Sequence, residues 1–203
     1  MLVDQAKPAR ATLLLAHGAG APMDSAFMNA MASGLQQAGI TVVRFEFPYM
    51  AERRRSQKRA PPNRMPVLEA CFRELVAKHA RKSRLFIGGK SMGGRVATMI
   101  ADSVSVSGVV ALGYPFHPPR RADKLRIEHL TVLQTPCLIV QGTRDALGSR
   151  DEVTSYRLAS SIALHWLEDG DHSFEPRRAS GRSHAQQLAE AVSVAASFML
   201  ATR

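Results

Sequence analysis

The chain has 203 residues, of which 45% are hydrophobic and 22% are charged. This composition is ordinary for a soluble globular protein, excludes a fibrous or low-complexity chain, and at this length predicts one domain over residues 1–203. The net charge of +10 indicates either a solvated basic surface or an attraction to anions such as nucleic acid, phosphorylated metabolites or acidic proteins.

The sequence also bears on where the protein resides. Its apolar runs are all shorter than the roughly 18 residues of a membrane span. The first ten residues, MLVDQAKPAR, lack the apolar segment of a secretion signal. We therefore expect a cytoplasmic protein with no membrane association, in which Cys71 and Cys137 are free, structural thiols.

Short apolar runs alternate with helical patterns along the chain. Strands are predicted at residues 11–18, 40–47, 84–89, 106–116, 136–142 and 163–169. Helices are predicted at residues 24–39, 66–80, 91–102, 121–130, 153–162 and 183–201, and a loop rich in Pro and Arg at residues 48–65. Because the six strands are mostly unbroken apolar runs, they indicate an α/β fold with a mostly parallel sheet covered by helices on both faces. Ligands of such sheets bind beyond the carboxyl ends of the strands.

The segment GGKSMGGR at residues 88–95 suggests two different kinds of site. Gly-Lys-Ser ends a phosphate-binding loop, but that loop needs a glycine at position 84, where the chain has Arg84. The residues after Arg84 are strand interior, so we reject a phosphate loop. A dinucleotide fingerprint also fails, because Met23 stands where the third glycine belongs.

The same segment is a Gly-x-Ser-x-Gly sequence between a strand and a helix, the setting of a nucleophilic serine. Such a serine stands on a sharp, strained turn, so Gly89 and Gly93 are expected to remove side chains that would collide there. Gly94 is expected to permit close packing of the helix. Lys90 is then the unconstrained x that precedes the serine of the motif.

A serine nucleophile needs a base and an acid that orients the base. Asp145 follows the strand at residues 136–142, and His172 follows the last strand. Their order after Ser91 is the Ser, Asp, His order of hydrolases of this type. We therefore predict Ser91, Asp145 and His172 as the catalytic residues.

An oxyanion hole is expected beside the serine. One donor should be the backbone N–H of Met92, and the other should come from the glycine-rich loop HGAGAPM after the first strand. We assign the second donor to Ala19 and expect His17 to brace this loop.

With these residues, the chain resembles the α/β-hydrolase superfamily, in particular its compact members related to dienelactone hydrolase. The resemblance runs through the segments LLLAHGAGAPMDS, RFEFPYM, GGKSMGGR, GYPFHPP, QGTRDALG and GDHSF. It implies the α/β-hydrolase fold and a Ser-His-Asp esterase-type mechanism that uses neither a metal nor an organic cofactor.

The chain departs from that family in two respects. Dienelactone hydrolase uses a cysteine nucleophile where this chain has Ser91, so its substrate is not carried over. The chain also begins almost directly with the strand before the oxyanion loop, so the leading antiparallel strands of larger members are expected to be absent. The short connection between the strands at 106–116 and 136–142 leaves no room for a cap domain, which predicts an open, shallow site.

Together these patterns predict a carboxylesterase-type serine hydrolase that acts on esters or thioesters with small acyl groups. Arg53, Arg54 and His117 follow strand ends and are predicted as substrate contacts that favour anionic substrates. Alternatively, the arginine-rich loop is merely solvated, and His117 is structural.

The rival hypothesis is a non-catalytic binding module whose basic rim engages nucleic acid or an acidic protein. The arginine-rich loop lacks the interleaved aromatic residues typical of RNA binding, which disfavours nucleic acid without excluding it. The sequence leaves the oligomeric state open.

Overall fold

A seven-stranded sheet forms the centre of the computed structural model, which describes residues 1–80 and 84–202. The strands are β1 (Leu2–Asp4), β2 (Ala11–Ala16), β3 (Ile40–Phe45), β4 (Leu85–Lys90), β5 (Gly108–Leu112), β6 (Cys137–Gly142) and β7 (Ile162–Leu167). Their order across the sheet is β1-β3-β2-β4-β5-β6-β7. All neighbouring pairs are parallel except β1 with β3. The predicted mostly parallel sheet is confirmed.

The first strand corrects the expectation that no antiparallel strand precedes β2. Val3 lies opposite Val43 in a pairing of three residues at the edge of the sheet. Such a short strand, exposed at Leu2 and Val3, carries no alternation of buried and exposed residues that a sequence pattern could reveal.

Six α-helices surround the sheet in the part of the chain that the structure describes. They are α1 (Ala26–Gln37), α2 (Pro48–Ser56), α3 (Met65–His79), α4 (Met92–Ile100), α5 (Arg150–Val153) and α6 (His184–Ala201). Helices α1 and α6 cover one face of the sheet through a core that includes Met31, Leu35 and Ala195. Helices α3 and α4 cover the other face through a core that includes Phe72 and Val96. This two-sided burial explains why the central strands are apolar along their whole length.

The segment predicted as a Pro/Arg-rich loop begins with a helix instead. Pro48 occupies the first turn of α2, where its missing N–H costs no hydrogen bond. Three arginines lie in the last turn of α2, where positive charge interacts favourably with the helix dipole. The helix has no apolar stripe beyond Tyr49 and Met50, so its sequence lacked the pattern on which a helix prediction depends.

Two predicted helices are mostly wrong. Residues 122–124 form a turn and a bend, residues 125–127 are irregular, and only the 3₁₀ segment Glu128–Thr131 is helical in that region. The helix predicted at residues 153–162 lies earlier in the chain, as α5. Helix α5 begins after Ser149 and ends at Val153. The backbone N–H of Ser149 donates a hydrogen bond to the Glu152 carboxylate in a capping box.

Arg84 has a structural role at the start of β4. The two N–H groups of its Nη2 are shared among the carbonyl oxygens of Met199, Leu200 and Thr202, which lie 2.7, 2.7 and 2.8 Å from this nitrogen. These carbonyls belong to the end of α6, where no further turn supplies donors. The positive charge of Arg84 therefore caps the last helix and ties it to the central sheet.

The two cysteines and the apolar character of the helices bear on two further expectations from the sequence. Cys137 is buried and Cys71 is half-buried, and both are free thiols whose pKa is raised by burial, that of Cys137 to about 12. Within residues 1–80 and 84–202, none of the helices combines the length and the apolar character needed to cross a bilayer.

Candidate active site

Ser91 lies on a strained turn between β4 and α4. Its backbone has φ 51° and ψ −113°, a conformation that residues with a side chain seldom adopt. The Ser91 N–H donates to Leu112 O at 2.9 Å, and Ser91 O accepts from Arg95 N at 3.0 Å. These bonds to β5 and to α4 hold the strained residue in place at the carboxyl end of the central strand.

The glycines around Ser91 stand where side chains would collide with backbone. A Cβ atom on Gly89 would lie 2.6 Å from Ala16 O, and one on Gly93 would lie 2.7 Å from the carbonyl oxygens of Ala16 and His17. A Cβ atom on Gly94 would lie 2.8 Å from Gly89 O. The sequence-based explanation of these three glycines agrees with the structure, because each allows β2, β4 and α4 to approach closely at the turn.

The predicted partners of Ser91 come together at the same edge of the sheet. His172 Nε2 lies 2.9 Å from Ser91 Oγ, and His172 Nδ1 lies 2.8 Å from Asp145 Oδ2. An ionised carboxylate only accepts hydrogen bonds, so the proton on the imidazole belongs on Nδ1. His172 Nε2 is therefore the acceptor that faces the Ser91 hydroxyl.

Asp145 is fully buried and is held by groups that the sequence analysis missed. Its Oδ1 accepts from Leu147 N at 2.8 Å, and its Oδ2 accepts from Gln141 Nε2 at 2.9 Å. Gln141 is itself fully buried and accepts from Tyr114 N at 2.7 Å. The signal that could have found it is a lone amide within the apolar strand β6, because a buried polar side chain requires partners.

The turn that carries His172 is fixed by two carboxylates. Asp169 accepts hydrogen bonds from the backbone and side chain of Arg177, and these bonds hold the pKa of Asp169 below its usual value. Asp171 Oδ1 accepts from Ser173 N at 2.7 Å and from Glu175 N at 2.9 Å. The imidazole is therefore placed by an ordered turn on both sides of the residue.

The two predicted oxyanion donors belong to two different segments of the chain. Met92 is the first residue of α4, and Ala19 lies in the loop after β2. Neither backbone N–H donates to an acceptor in the part of the chain that the structure describes. Ala19 and Ser91 both line the same cavity, and Met92 directly follows Ser91 in the chain.

His17 and Tyr49 form hydrogen bonds that hold the loop after β2, which contains Ala19. His17 Nε2 accepts from Phe47 N at 3.1 Å, so His17 Nδ1 carries the proton that is donated to Gly18 O at 2.6 Å. Burial lowers the pKa of His17, which favours this neutral form. The Tyr49 hydroxyl donates to Ala19 O at 3.0 Å. These contacts are those of a bracing residue, as expected for His17.

A cavity of about 310 Å³ opens beside Ser91 and His172. Its walls include the loop residues after β2, the apolar residues Phe27 and Met28, and Lys90. The connection from β5 to β6 contains only a short 3₁₀ helix, so no cap domain covers this opening in the described structure. Among the described residues, no group of three or more His, Cys, Asp or Glu side chains is arranged to hold a metal ion.

Lys90 is not the unconstrained position that the motif suggested. Its side chain is 9% exposed, and its Nζ donates to His172 O at 2.6 Å. The ammonium also lies 5.5 Å from the ring centre of Phe27 and 5.9 Å from that of Phe174. The sequence motif requires no particular residue at position 90, but in the folded protein the Lys90 ammonium is hydrogen-bonded to the backbone carbonyl of His172.

Arg53, Arg54 and His117, the predicted substrate contacts, are not among the residues that line this cavity. Arg54 pairs with Asp24 and Glu46 at 2.8 and 2.6 Å, and Arg53 donates to Ala60 O at 2.6 Å. Both arginines line a separate pocket of about 250 Å³ beside α2. His117 is buried, with Nδ1 2.9 Å from Pro118 O, which matches the structural alternative.

Comparisons with known proteins place the chain in a family. A sequence model described as an alpha/beta hydrolase domain matches residues 9–200, so the chain belongs to the α/β-hydrolase family and is classed as a hydrolase. Est1E from Butyrivibrio proteoclasticus, solved with ferulic acid bound, is similar at 14% identity and TM-score 0.72, with 99% of this chain and 94% of that chain covered. A dienelactone hydrolase from Anabaena variabilis is similar at 20% identity and TM-score 0.69, with 96% and 87% covered. A lidless serine hydrolase from Xanthomonas campestris is similar at 22% identity and TM-score 0.63, with 95% and 87% covered. At these identities the solved structures establish the fold alone.

Proposed function

We propose that this α/β-hydrolase is a serine hydrolase that cleaves carboxylic esters or thioesters through an acyl-enzyme on Ser91. The observation that carries the proposal is the continuous hydrogen-bonded chain from Ser91 Oγ to His172 and on to the buried Asp145. A serine hydroxyl becomes nucleophilic when an oriented base accepts its proton. The esterases among the proteins of similar fold are compatible with this chemistry.

The first half of the reaction transfers the acyl group to the enzyme. Ser91 Oγ forms a bond to the carbonyl carbon while its proton moves to His172 Nε2 and the carbonyl electron pair moves onto oxygen. The tetrahedral intermediate then collapses, the bond to the leaving group breaks, and His172 returns the proton to the leaving alcohol or thiol. In the second half, water repeats these steps in place of Ser91 and releases the carboxylic acid.

Charge develops on two groups during these steps, and each has a matching partner. Asp145 keeps the imidazole in the required tautomer and stabilises the imidazolium that forms transiently. The Met92 and Ala19 N–H groups are the proposed donors to the oxyanion. One such donor typically accounts for about a hundred- to a thousandfold in kcat.

The cavity supports a preference for small acyl groups. Its volume is about 310 Å³, and Phe27 and Met28 supply an apolar wall beside Ser91. Burial of an apolar chain against this wall provides roughly 0.8 kcal/mol per methylene group. We expect rates to rise from acetate to butyrate and to fall once the chain exceeds the cavity.

Labelling with a fluorophosphonate probe tests the proposal, because the probe reacts covalently with activated serines. We expect the wild-type protein to be labelled and to hydrolyse p-nitrophenyl butyrate, and Ser91→Ala to lose both properties. Ser173→Ala is the matched control, since Ser173 lines the same cavity and makes no side-chain hydrogen bond with the described residues. Equal labelling of wild type and Ser91→Ala would refute the assignment. An unlabelled wild type that binds nucleic acid in a salt-dependent manner would favour the binding-module alternative.

A further inference from the structure

Lys90 places a buried positive charge in the wall of the proposed active site. The ammonium is packed against the rings of Phe27 and Phe174 and donates to the backbone carbonyl of His172. Lys90 also lines the cavity shared by Ser91 and His172. The apolar surroundings could accommodate a neutral side chain without the cost of desolvating a cation, so the presence of an ammonium here requires an explanation.

The charge of Lys90 has no direct counter-ion among the described residues. Within residues 1–80 and 84–202, no carboxylate oxygen lies within 4.0 Å of the ammonium, the limit for an ion pair, although the charges of Asp145 and Asp171 act on it from farther away. Those carboxylates are engaged by His172 and by the backbone of the following turn. Desolvation lowers the pKa of Lys90 to about 8, against the opposing effect of the two carboxylates.

The ammonium also retains hydrogen-bonding capacity. A protonated lysine has three N–H donors, and within residues 1–80 and 84–202 only the bond to His172 O uses one of them. The remaining donors belong to Lys90, which is one of the residues that line the cavity. Apart from the imidazole of His172, the other side chains that line this cavity are neutral. An anionic group that enters the cavity therefore finds one cation, which is Lys90.

We propose that Lys90 determines specificity by binding a carboxylate at the far end of a short acyl group, so that the preferred substrates are monoesters of short dicarboxylic acids. This inference rests on the proposed esterase function and adds a substrate class to it. A charge-assisted hydrogen bond to a partly desolvated ammonium is stronger than one in water, and the bound carboxylate supplies the missing counter-ion. The anionic preference is thereby located at Lys90 and not at Arg53 or Arg54, which line a different pocket.

A pair of esters of equal shape tests the inference. Ethyl hydrogen succinate carries a terminal carboxylate, and ethyl 4-methylpentanoate carries an isopropyl group of the same outline. We compare kcat/KM for the two esters by ethanol release, in the wild type, in Lys90→Met and in the exposed control Lys124→Met. The ratio of the acidic to the neutral ester is expected to fall about ten- to a hundredfold in Lys90→Met, the range for one hydrogen bond to a charged group. It is expected to stay unchanged in Lys124→Met.

The pH dependence of the wild type provides a second test that does not depend on the variant folding. The charge on Lys90 is lost as the pH rises through about 8, so the ratio should decline between pH 7 and pH 9. Both esters depend equally on Ser91, His172 and Asp145, so these groups cancel in the ratio. Asp145 and Asp171 are the carboxylates whose charges act on Lys90.

The outcomes separate the two proposals. A ratio that is unchanged in Lys90→Met and independent of pH would overturn the specificity inference while leaving the esterase assignment intact. An equal fall in kcat/KM for both esters in Lys90→Met would also overturn the specificity inference and would make Lys90 a positioning residue for His172. A wild type that hydrolyses neither ester and resists the fluorophosphonate probe would overturn the proposed function, and the inference with it.

Discussion

Gly142 controls the position of His172 although it does not contact the imidazole. A Cβ atom on Gly142 would lie 2.3 Å from Gly170 O and 2.4 Å from Asp171 O, the two backbone carbonyls that precede His172. Carbon and oxygen atoms do not approach closer than about 3 Å, so Gly142→Ala must displace this turn by roughly 0.7 Å or more. The 2.9 Å contact between His172 Nε2 and Ser91 Oγ would then exceed hydrogen-bond distance.

A displacement of this size predicts a specific kinetic effect. Misplacement of a reacting group by about 1 Å reduces the rate by roughly a hundredfold, so kcat of Gly142→Ala for p-nitrophenyl butyrate should fall by about that factor. KM should change little, because the wall formed by Phe27 and Met28 is not displaced. Circular dichroism and thermal melting establish that the variant is folded before its rate is measured.

The control for this experiment is a glycine in the displaced turn itself. A Cβ atom on Gly170 would have its nearest contact at 3.2 Å, from Leu167 O, so Gly170→Ala requires a shift of only a few tenths of an ångström. We expect its kcat to stay within a fewfold of the wild-type value. Wild-type kcat in Gly142→Ala, or equal losses in both variants, would refute the argument that the crowding at Gly142 sets the geometry of the base.

Three further predictions follow from contacts elsewhere in the structure. Asp145→Asn keeps the shape of the side chain but stabilises the wrong tautomer of His172, so kcat should fall by about ten-thousandfold in the ester assay, and a loss below tenfold would contradict the role of Asp145. Arg84→Met removes the two N–H donors that three carbonyl oxygens at the end of α6 share and should lower the free energy of unfolding in urea by about 2–3 kcal/mol without changing kcat, whereas unchanged stability would refute the capping role. Desolvation and the nearby charge of Arg95 lower the pKa of His129 from 6.5 to about 4. The unfolded chain therefore binds a proton there at higher pH than the folded protein, and stability falls as the pH drops from 6.5 towards 4. The decrease in unfolding free energy over this interval should be smaller in His129→Gln, and equal decreases would contradict the assignment.

The parts of the site that follow from local sequence could be predicted. Ser91 is flanked by glycines that its strained backbone requires, and each glycine leaves a recognisable spacing in the chain. Asp145 and His172 each follow a strand that is mostly apolar and can be recognised from the sequence. Parallel strands end at the same edge of a sheet, so the order of these residues along the chain was sufficient to bring them together.

The remaining features depend on tertiary contacts that leave no local pattern. Helix α2 is stabilised partly by pairing of its arginines with Glu46, Asp24 and Glu52, and not by an apolar stripe. Gln141 has meaning only through its contacts with Asp145 and Tyr114. Lys90 occupies a position that the motif leaves free, and its contact is with the carbonyl of a residue 82 positions later. Buried polar residues within apolar strands were the signal that the sequence analysis did not use.

The identity of the covalent intermediate tests the central claim most directly. The wild-type protein is mixed with p-nitrophenyl acetate, quenched in acid during turnover, digested with trypsin and analysed by mass spectrometry. The proposed mechanism predicts an acetyl group on Ser91, within the short peptide Ser-Met-Gly-Gly-Arg that begins at this residue. The acetyl group should be absent from Ser91→Ala and should disappear from the wild type once the substrate is exhausted. Rapid turnover without acetylation of Ser91, or persistence of turnover in Ser91→Ala, would contradict the assignment of Ser91 as the nucleophile.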